Sequence, residues 1–153
     1  MFILRVVGSS LDSLKRPHLY AVDEDGWFET GDLARKDKDG YIRITGRSKD
    51  IIIRGGENVP VIEIEELMYH HPAVQEVAIV GLPDERLGER ACACVVLREG
   101  TSLTSADLSR FMAENAVAKN YWPERLEVLD ALPKTPSGKV QKFKLREIVG
   151  AGT

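Results

Sequence analysis

Two apolar runs constrain this chain more than anything else in it: residues 74–82 (Val-Gln-Glu-Val-Ala-Ile-Val-Gly-Leu) and residues 91–97 (Ala-Cys-Ala-Cys-Val-Val-Leu). Both are apolar enough to read as sheet strands. The segment between them, Pro83-Asp84-Glu85-Arg86-Leu87-Gly88-Glu89-Arg90, is polar with turn formers at both ends, and predicts a long hairpin. Cys92 and Cys94 lie two apart in the second run, on one face of a strand. With no other cysteine and only His18, His70 and His71 in the chain, they read as small reduced core residues, and no metal site is expected.

Helices flank this hairpin in the sequence. Residues 51–53 form a short β-branched run closed by Arg54-Gly55-Gly56, after which Asn58 precedes Pro60 and a helical stretch to about Tyr69. Asn is a good N-cap, Pro is tolerated in the first turn, and Glu63, Glu65 and Glu66 lie towards the positive end of the helix dipole. Ile64, Leu67, Met68 and His71 recur at helical spacing and predict one buried stripe. His70-His71-Pro72 ends this helix, the two histidines serving as end caps or surface contacts. Thr104 and Asp107 make a capping box for a second helix carrying Leu108, Phe111 and Met112 on one face. Pro123 stops any helix that remains; residues 126–129 read as a strand, 133–138 as a loop and 142–149 as a final short helix. The expected fold class is therefore α+β, a central short β-sheet flanked by helices.

Upstream of Arg47 the text changes. Asp25-Gly26 and Asp39-Gly40 suit the positive φ of tight hairpin turns, so Trp27-Phe28 and residues 41–45 read as strands leaving turns. Residues 21–40 hold seven acids against three basic residues, a face that is solvated or meets cations. Over all 153 residues the net charge is −3, too little positive charge to hold a nucleic acid. No apolar run reaches the ~18–20 residues of a membrane span, and the opening MFILRVVGSS lacks a basic leader, so a cytoplasmic location is expected.

Three short motifs carry candidate chemistry. Pro133-Lys134-Thr135-Pro136-Ser137-Gly138-Lys139 places a lysine at the tip of a loop stiffened by two prolines. It is no Walker A loop, because Pro133 stands where the first glycine belongs and Val140 where Ser or Thr would bind Mg²⁺. Between Lys134 and Glu147 five cations face one acid, which is either an anion-seeking patch or a solvated basic helix end. Thr30-Gly31-Asp32 presents a carboxylate able to accept hydrogen bonds from a vicinal diol such as a ribose. Gly46-Arg47-Ser48-Lys49-Asp50 adds a guanidinium suited to phosphate or sugar oxygens. Taken singly, each is equally a turn with a surface ion pair.

Taken together and in order, the motifs resemble a known family. Asp-Gly-Trp-Phe-Glu-Thr-Gly-Asp (25–32), Gly-Tyr-Ile-Arg-Ile-Thr-Gly-Arg-Ser-Lys-Asp (40–50), Ile-Ile-Arg-Gly-Gly-Glu-Asn-Val (52–59) and Pro-Lys-Thr-Pro-Ser-Gly-Lys (133–139) are similar to the carboxy-terminal motifs of adenylate-forming enzymes. That superfamily includes acyl-CoA synthetases, luciferases and peptide-synthetase adenylation domains, and the Gly-Gly-Glu-Asn form looks most like fatty-acid and aromatic-acid CoA ligases. The resemblance implies activation of a carboxylic acid with ATP to an acyl-adenylate, then transfer to CoA. By that match Asp32 and Arg47 would bind the nucleotide, Lys139 would be the catalytic lysine, Lys49 the hinge, and Gly55 and Gly56 would lie against CoA. Two positions depart from the pattern: Val59 where an aromatic often precedes the proline, and Tyr121 where a basic residue often precedes Trp122-Pro123.

The resemblance further implies two parts, residues 1–48 as the last strands of a large β-rich adenylation domain and residues 49–153 as a mobile carboxy-terminal α+β domain. No phosphate loop, adenine pocket or acyl pocket is found, so the large amino-terminal domain is expected as a missing partner. ATP or AMP, Mg²⁺ and CoA belong to the intact enzyme, none is expected to bind this chain tightly, and the chain alone is expected to be inactive. The alternative is a non-catalytic binding or assembly module that associates with a second copy through its exposed amino-terminal strands.

Overall fold

The computed structural model describes residues 4–5, 27–28 and 30–151, and the chain divides into two compact units, Met1–Lys49 and Asp50–Thr153.

In the first unit β1 (Leu4–Arg5) pairs antiparallel with β2 (Trp27–Phe28), and β3 (Asp32–Lys36) pairs antiparallel with β4 (Ile42–Arg47). The Asp39-Gly40 turn forms as its composition predicts. Gly40 takes φ +93°, and Oδ1 of Asp37 accepts the backbone N–H groups of Asp39 and Tyr41 at 2.9 Å each. The expected Asp25-Gly26 turn and the acids Asp23, Glu24, Asp25 and Glu29 lie outside the described residues.

The second unit is built on a mixed five-stranded sheet. Its strands are β5 (Ile52–Arg54), β6 (Glu57–Val59), β7 (Val74–Asp84), β8 (Gly88–Leu97) and β9 (Arg125–Val128). They run in the order β6-β5-β8-β7, with β9 parallel to β8 from Cys92↔Arg125 to Val95↔Val128. Three helices cover them: α1 (Val61–Tyr69), α2 (Ser105–Glu114) and α3 (Lys142–Gly150).

Period-2 alternation divides the hairpin between two cores. Val77 and Ile79 of β7 and Ala91, Ala93 and Val95 of β8 face a cluster completed by Ile64 and Met68 of α1 and Leu108 and Met112 of α2. Ala78, Val80, Leu82, Cys92 and Cys94 face the other way, against Leu132 and against Leu145 and Val149 of α3. Each large aliphatic side chain taken out of water here contributes about 1.5–3 kcal/mol. Both faces are apolar because both are covered, which is why the two strands read as nearly unbroken hydrophobic runs.

The ends of these elements differ from the sequence expectation in two places. The hairpin is tighter: β7 continues through Pro83 and Asp84, β8 begins at Gly88, and only Glu85, Arg86 and Leu87 remain as the loop. Pro83 fits because β7 is an edge strand, where a missing donor is tolerated. Asp84 organises the loop, its Oδ1 accepting the N–H groups of Arg86 at 3.0 Å and Leu87 at 2.9 Å. Nor does Asn58 cap α1. It lies in β6 opposite Ile53, and the helix begins after Pro60 without a side-chain cap. The capping box of α2 forms as read, Thr104 Oγ1 accepting the N–H of Asp107 at 3.2 Å while Asp107 accepts the N–H of Thr104 at 3.1 Å.

Helix α1 also closes the open edge of β7. Glu65 accepts the N–H of Ile79 at 2.7 Å, so an edge donor that would otherwise point at solvent or a second strand is satisfied within the unit. His70 and His71 do end this helix as local contacts: Nδ1 of His70 lies 2.8 Å from the Glu66 carbonyl, and Nδ1 of His71 accepts the N–H of Ala73 at 3.1 Å.

Candidate functional site

Asp32 and Arg47, read from the sequence as two separate nucleotide contacts, are neighbours. They are paired Cα partners at the ends of β3 and β4, and Arg47 Nε lies 2.9 Å from Asp32 Oδ1. The turn before Asp32 is fixed by Gly31 at φ +70°, by the Thr30 hydroxyl accepting the Asp32 N–H at 3.1 Å, and by Ser48 N–H bonding the Gly31 carbonyl at 2.8 Å. Arg47 remains half exposed, so the pair orients its guanidinium while leaving its other N–H groups to solvent or a ligand. Lys49 sits in the short 3₁₀ turn Ser48–Asp50, and the division between the two compact units falls directly after it.

Gly55 and Gly56 form the two-residue loop between β5 and β6, closed by the pair Arg54↔Glu57. Their φ values are +58° and +88°, the type I′ combination that strand twist favours and that L-residues resist. The conformation alone therefore accounts for both glycines. A β-carbon on Gly56 would meet no atom within 4 Å, and one on Gly55 would only touch Leu87 at 3.7 Å. The residue ahead of them, missed by the sequence reading, is held firmly. Arg54 makes an ion pair with Glu124 and donates from Nη1 to the Asn120 carbonyl at 2.9 Å. Asn120 in turn donates to Glu57 at 2.6 Å, and Glu124 also accepts the Ala91 N–H at 3.0 Å. No spacing rule links Arg54 to an acid seventy residues on; only the fold brings them together.

The lysine loop is ordered by its own short bonds. Thr135 N–H bonds the Lys139 carbonyl at 2.8 Å, Gly138 N–H bonds the Thr135 carbonyl at 2.9 Å, and the Thr135 hydroxyl accepts the Lys139 N–H at 3.1 Å. Gly138 takes φ +83° to allow the reversal. The basic patch read from the sequence is largely neutralised in the fold. Lys134 pairs with Glu76 at 2.7 Å, Lys142 with Glu65 at 2.6 Å and Arg146 with Asp50 at 3.2 Å, while Lys144 lies over the Phe143 ring at 5.9 Å. Lys139 is exposed and has no ion-pair partner among the described residues. Among the described residues of this segment, Lys139 and Lys144 are the exposed cations without a carboxylate partner, and Lys139 is the one carried on the loop.

Cys92 and Cys94 are buried as unpaired thiols, and the facing Cys92 sulfur together with burial pushes the Cys94 thiol far up. No group of three His, Cys, Asp or Glu side chains among the described residues could hold a metal ion. No helix among them is long and apolar enough to cross a membrane.

Comparison with known proteins identifies the family. The family model of the AMP-binding enzyme C-terminal domain matches residues 63–139, ending on Lys139. The chain is 49% identical over 128 residues to the medium-chain fatty-acid–CoA ligase of Escherichia coli, covering 83% of this chain and 23% of that protein. It is 45% identical over 127 residues to the human medium-chain acyl-CoA ligase ACSF2, mitochondrial, covering 83% of this chain and 20% of the relative. Among solved structures, ATP-bound MatB from Rhodopseudomonas palustris superimposes with a TM-score of 0.75 at 39% identity, over 82% of this chain and 25% of that one. The chain thus spans about a quarter or less of the length of these relatives and, by its matched residues, sheet and helices, it belongs to the AMP-binding enzyme C-terminal domain family.

Proposed function

We propose that this chain supplies the catalytic lysine and the thioester-side loop of an ATP-dependent acyl-CoA ligase whose large adenylation domain lies outside it. The observation that carries the reading is Lys139, an exposed amine on a loop ordered by three short hydrogen bonds, in a segment where Lys134, Lys142 and Arg146 are held in ion pairs. In the adenylation step the ammonium stabilises the negative charge that passes between the substrate carboxylate and the α-phosphate of ATP, an interaction strongest where water is excluded. Asp32 accepts the ribose hydroxyls and Arg47, oriented by that same carboxylate, reaches ribose and phosphate oxygens. Lys49 is the pivot about which residues 49–153 change position between the two half-reactions, and the Gly55-Gly56 turn then takes its place beside the pantetheine of CoA.

The relatives' names support a carboxylic acid of fatty-acid type and CoA as substrates; in this proposal ATP and Mg²⁺ are bound chiefly by the large domain, which residues 1–48 complete. A cytoplasmic location is part of the proposal, although the ACSF2 relatives carry a mitochondrial name. The test is pyrophosphate exchange by the chain alone and by the chain mixed with the separately made part of the E. coli relative that it does not span. Activity confined to the mixture, and lost with Lys139→Ala, supports the reading. A mixture that stays inactive, or activity indifferent to Lys139, overturns it.

A second reading rests on its own observation. On β4 and the residue before it, Tyr41, Ile42 and Ile44 are 76%, 56% and 54% exposed in a sheet that has two strands among the described residues. An assembly module that pairs through this surface predicts a concentration-dependent dimer in sedimentation, abolished by Ile42→Lys.

A further inference from the structure

The loop that presents Lys139 is fastened at both ends to the edge of the sheet. At its start Lys134 pairs with Glu76 of β7 at 2.7 Å, with both side chains partly exposed. Just past its end Lys142 pairs with Glu65 of α1 at 2.6 Å, and here the side chains are only 19% and 17% exposed. Glu65 uses the same oxygen, Oε1, to accept the N–H of Ile79 in β7 at 2.7 Å. Both fastenings therefore lead to one strand. Between them the backbone closes on itself through the Lys134↔Val140 bridge and through Gln141 N–H on the Pro133 carbonyl at 2.8 Å.

Lys142 is in the wrong place for helix stability alone. It is the first residue of α3, a helix with no acid in its first turn and no side-chain cap, so a cation there opposes the helix dipole. A lysine held in that position and largely removed from water needs its carboxylate partner. Glu65 would satisfy the β7 edge without any lysine, so the pair does something the edge does not require.

We infer that Lys142–Glu65 and Lys134–Glu76 are positioning pairs that fix the Lys139 loop against β7, so that the amine is presented in one geometry when the domain docks. The consequence for catalysis rests on the function proposed above; the consequence for loop order does not. A misplaced reacting group forfeits orientation, and a displacement near 1 Å costs as much as about 10²-fold.

The test compares Lys142→Met, which keeps the stem and removes the charge, with Lys142→Arg, which keeps the charge. On the chain alone, heteronuclear ¹⁵N relaxation reads the order of the Gly138 and Lys139 amides. On the chain mixed with the missing part of the E. coli relative, each half-reaction is measured separately. The inference predicts that Lys142→Met loosens both amides and slows adenylation roughly ten- to hundredfold in kcat with little change in KM for ATP. It predicts that thioester formation from supplied acyl-adenylate stays near wild type and that Lys142→Arg restores order and rate. If Lys142→Met does not fold, Glu76→Gln at the more exposed pair is read in its place. Amides that keep their order in the variant, or equal loss in both half-reactions, overturn the inference. A wild-type mixture whose adenylation ignores Lys139→Ala overturns the proposed function instead, and the relaxation result still decides the positioning role.

Discussion

Gly56 allows the conformational argument to be tested with a number attached. Its φ is +88°, and a β-carbon there would meet no atom within 4 Å, so replacing it by alanine introduces no clash. The cost is then the left-handed backbone alone, about 1–2 kcal/mol for an ordinary L-residue. In a cooperative unit of roughly 100 residues that amounts to a fall in Tm of about 4–16 °C. Asparagine enters the left-handed region more readily, so Gly56→Asn is expected to lose clearly less than Gly56→Ala. Gly150→Ala is the control: the space there is equally open, no positive φ is required, and the residue closes helix α3, so no loss is expected. Thermal and urea unfolding of the chain, followed by far-ultraviolet circular dichroism, reads all three. Equal losses for alanine and asparagine, or none for alanine, would refute the claim that a type I′ turn demands this glycine. The same variants separate folding from chemistry, because the proposed place of pantetheine beside the turn predicts that Gly56→Asn folds yet loses thioester formation.

Helix α2 ends in a Schellman motif, Val117 N–H on the Met112 carbonyl at 3.0 Å and Ala116 N–H on the Ala113 carbonyl at 3.1 Å, but Ala116 takes φ +55° where glycine is usual. Ala116→Gly is therefore expected to stabilise the chain by up to about 1 kcal/mol, read as a higher urea midpoint. Cys92 and Cys94 are fully buried, so labelling by a thiol reagent should proceed only as fast as the unit opens and should accelerate through the urea transition; fast labelling of the native chain would contradict the packing. The Thr104 hydroxyl and N–H hold the Asp107 carboxyl below the usual carboxylate range. A depressed folded value contributes stability that is present above the unfolded pKa of about 3.9 and is lost as pH falls through the folded value. Asp107→Asn should accordingly flatten the stability profile below about pH 4 and leave its shape near neutrality unchanged.

Much of this fold is legible in the sequence because its elements are locally consistent. The Thr104/Asp107 box, the β7 and β8 runs and the final helix each announce themselves by period or by cap, and each forms. The failures share one cause: turn and cap chemistry was overruled by strand pairing. Pro83, Asp84 and Gly88 have turn chemistry, yet all three belong to strands, because an edge strand tolerates a proline and the loop needs only three residues. Asn58 has cap chemistry, but the Gly55-Gly56 reversal sends it back as a strand beside Ile53. At the candidate site, residue identities could be read and pairings could not. Asp32 with Arg47, Arg54 with Glu124 and Lys142 with Glu65 lie at separations that carry no periodic signal. In the basic segment, pairing of Lys134, Lys142 and Arg146 with distant acids leaves Lys139 and Lys144 as the cations without a carboxylate partner among the described residues.

The most direct measurement is the separation of the two half-reactions in the reconstituted ligase carrying Lys139→Ala. If Lys139 serves adenylation from a lobe that is repositioned for the second step, acyl-adenylate formation should be abolished while thioester formation from supplied acyl-adenylate is largely intact. Equal loss of both steps, or adenylation that survives without the amine, would contradict the account.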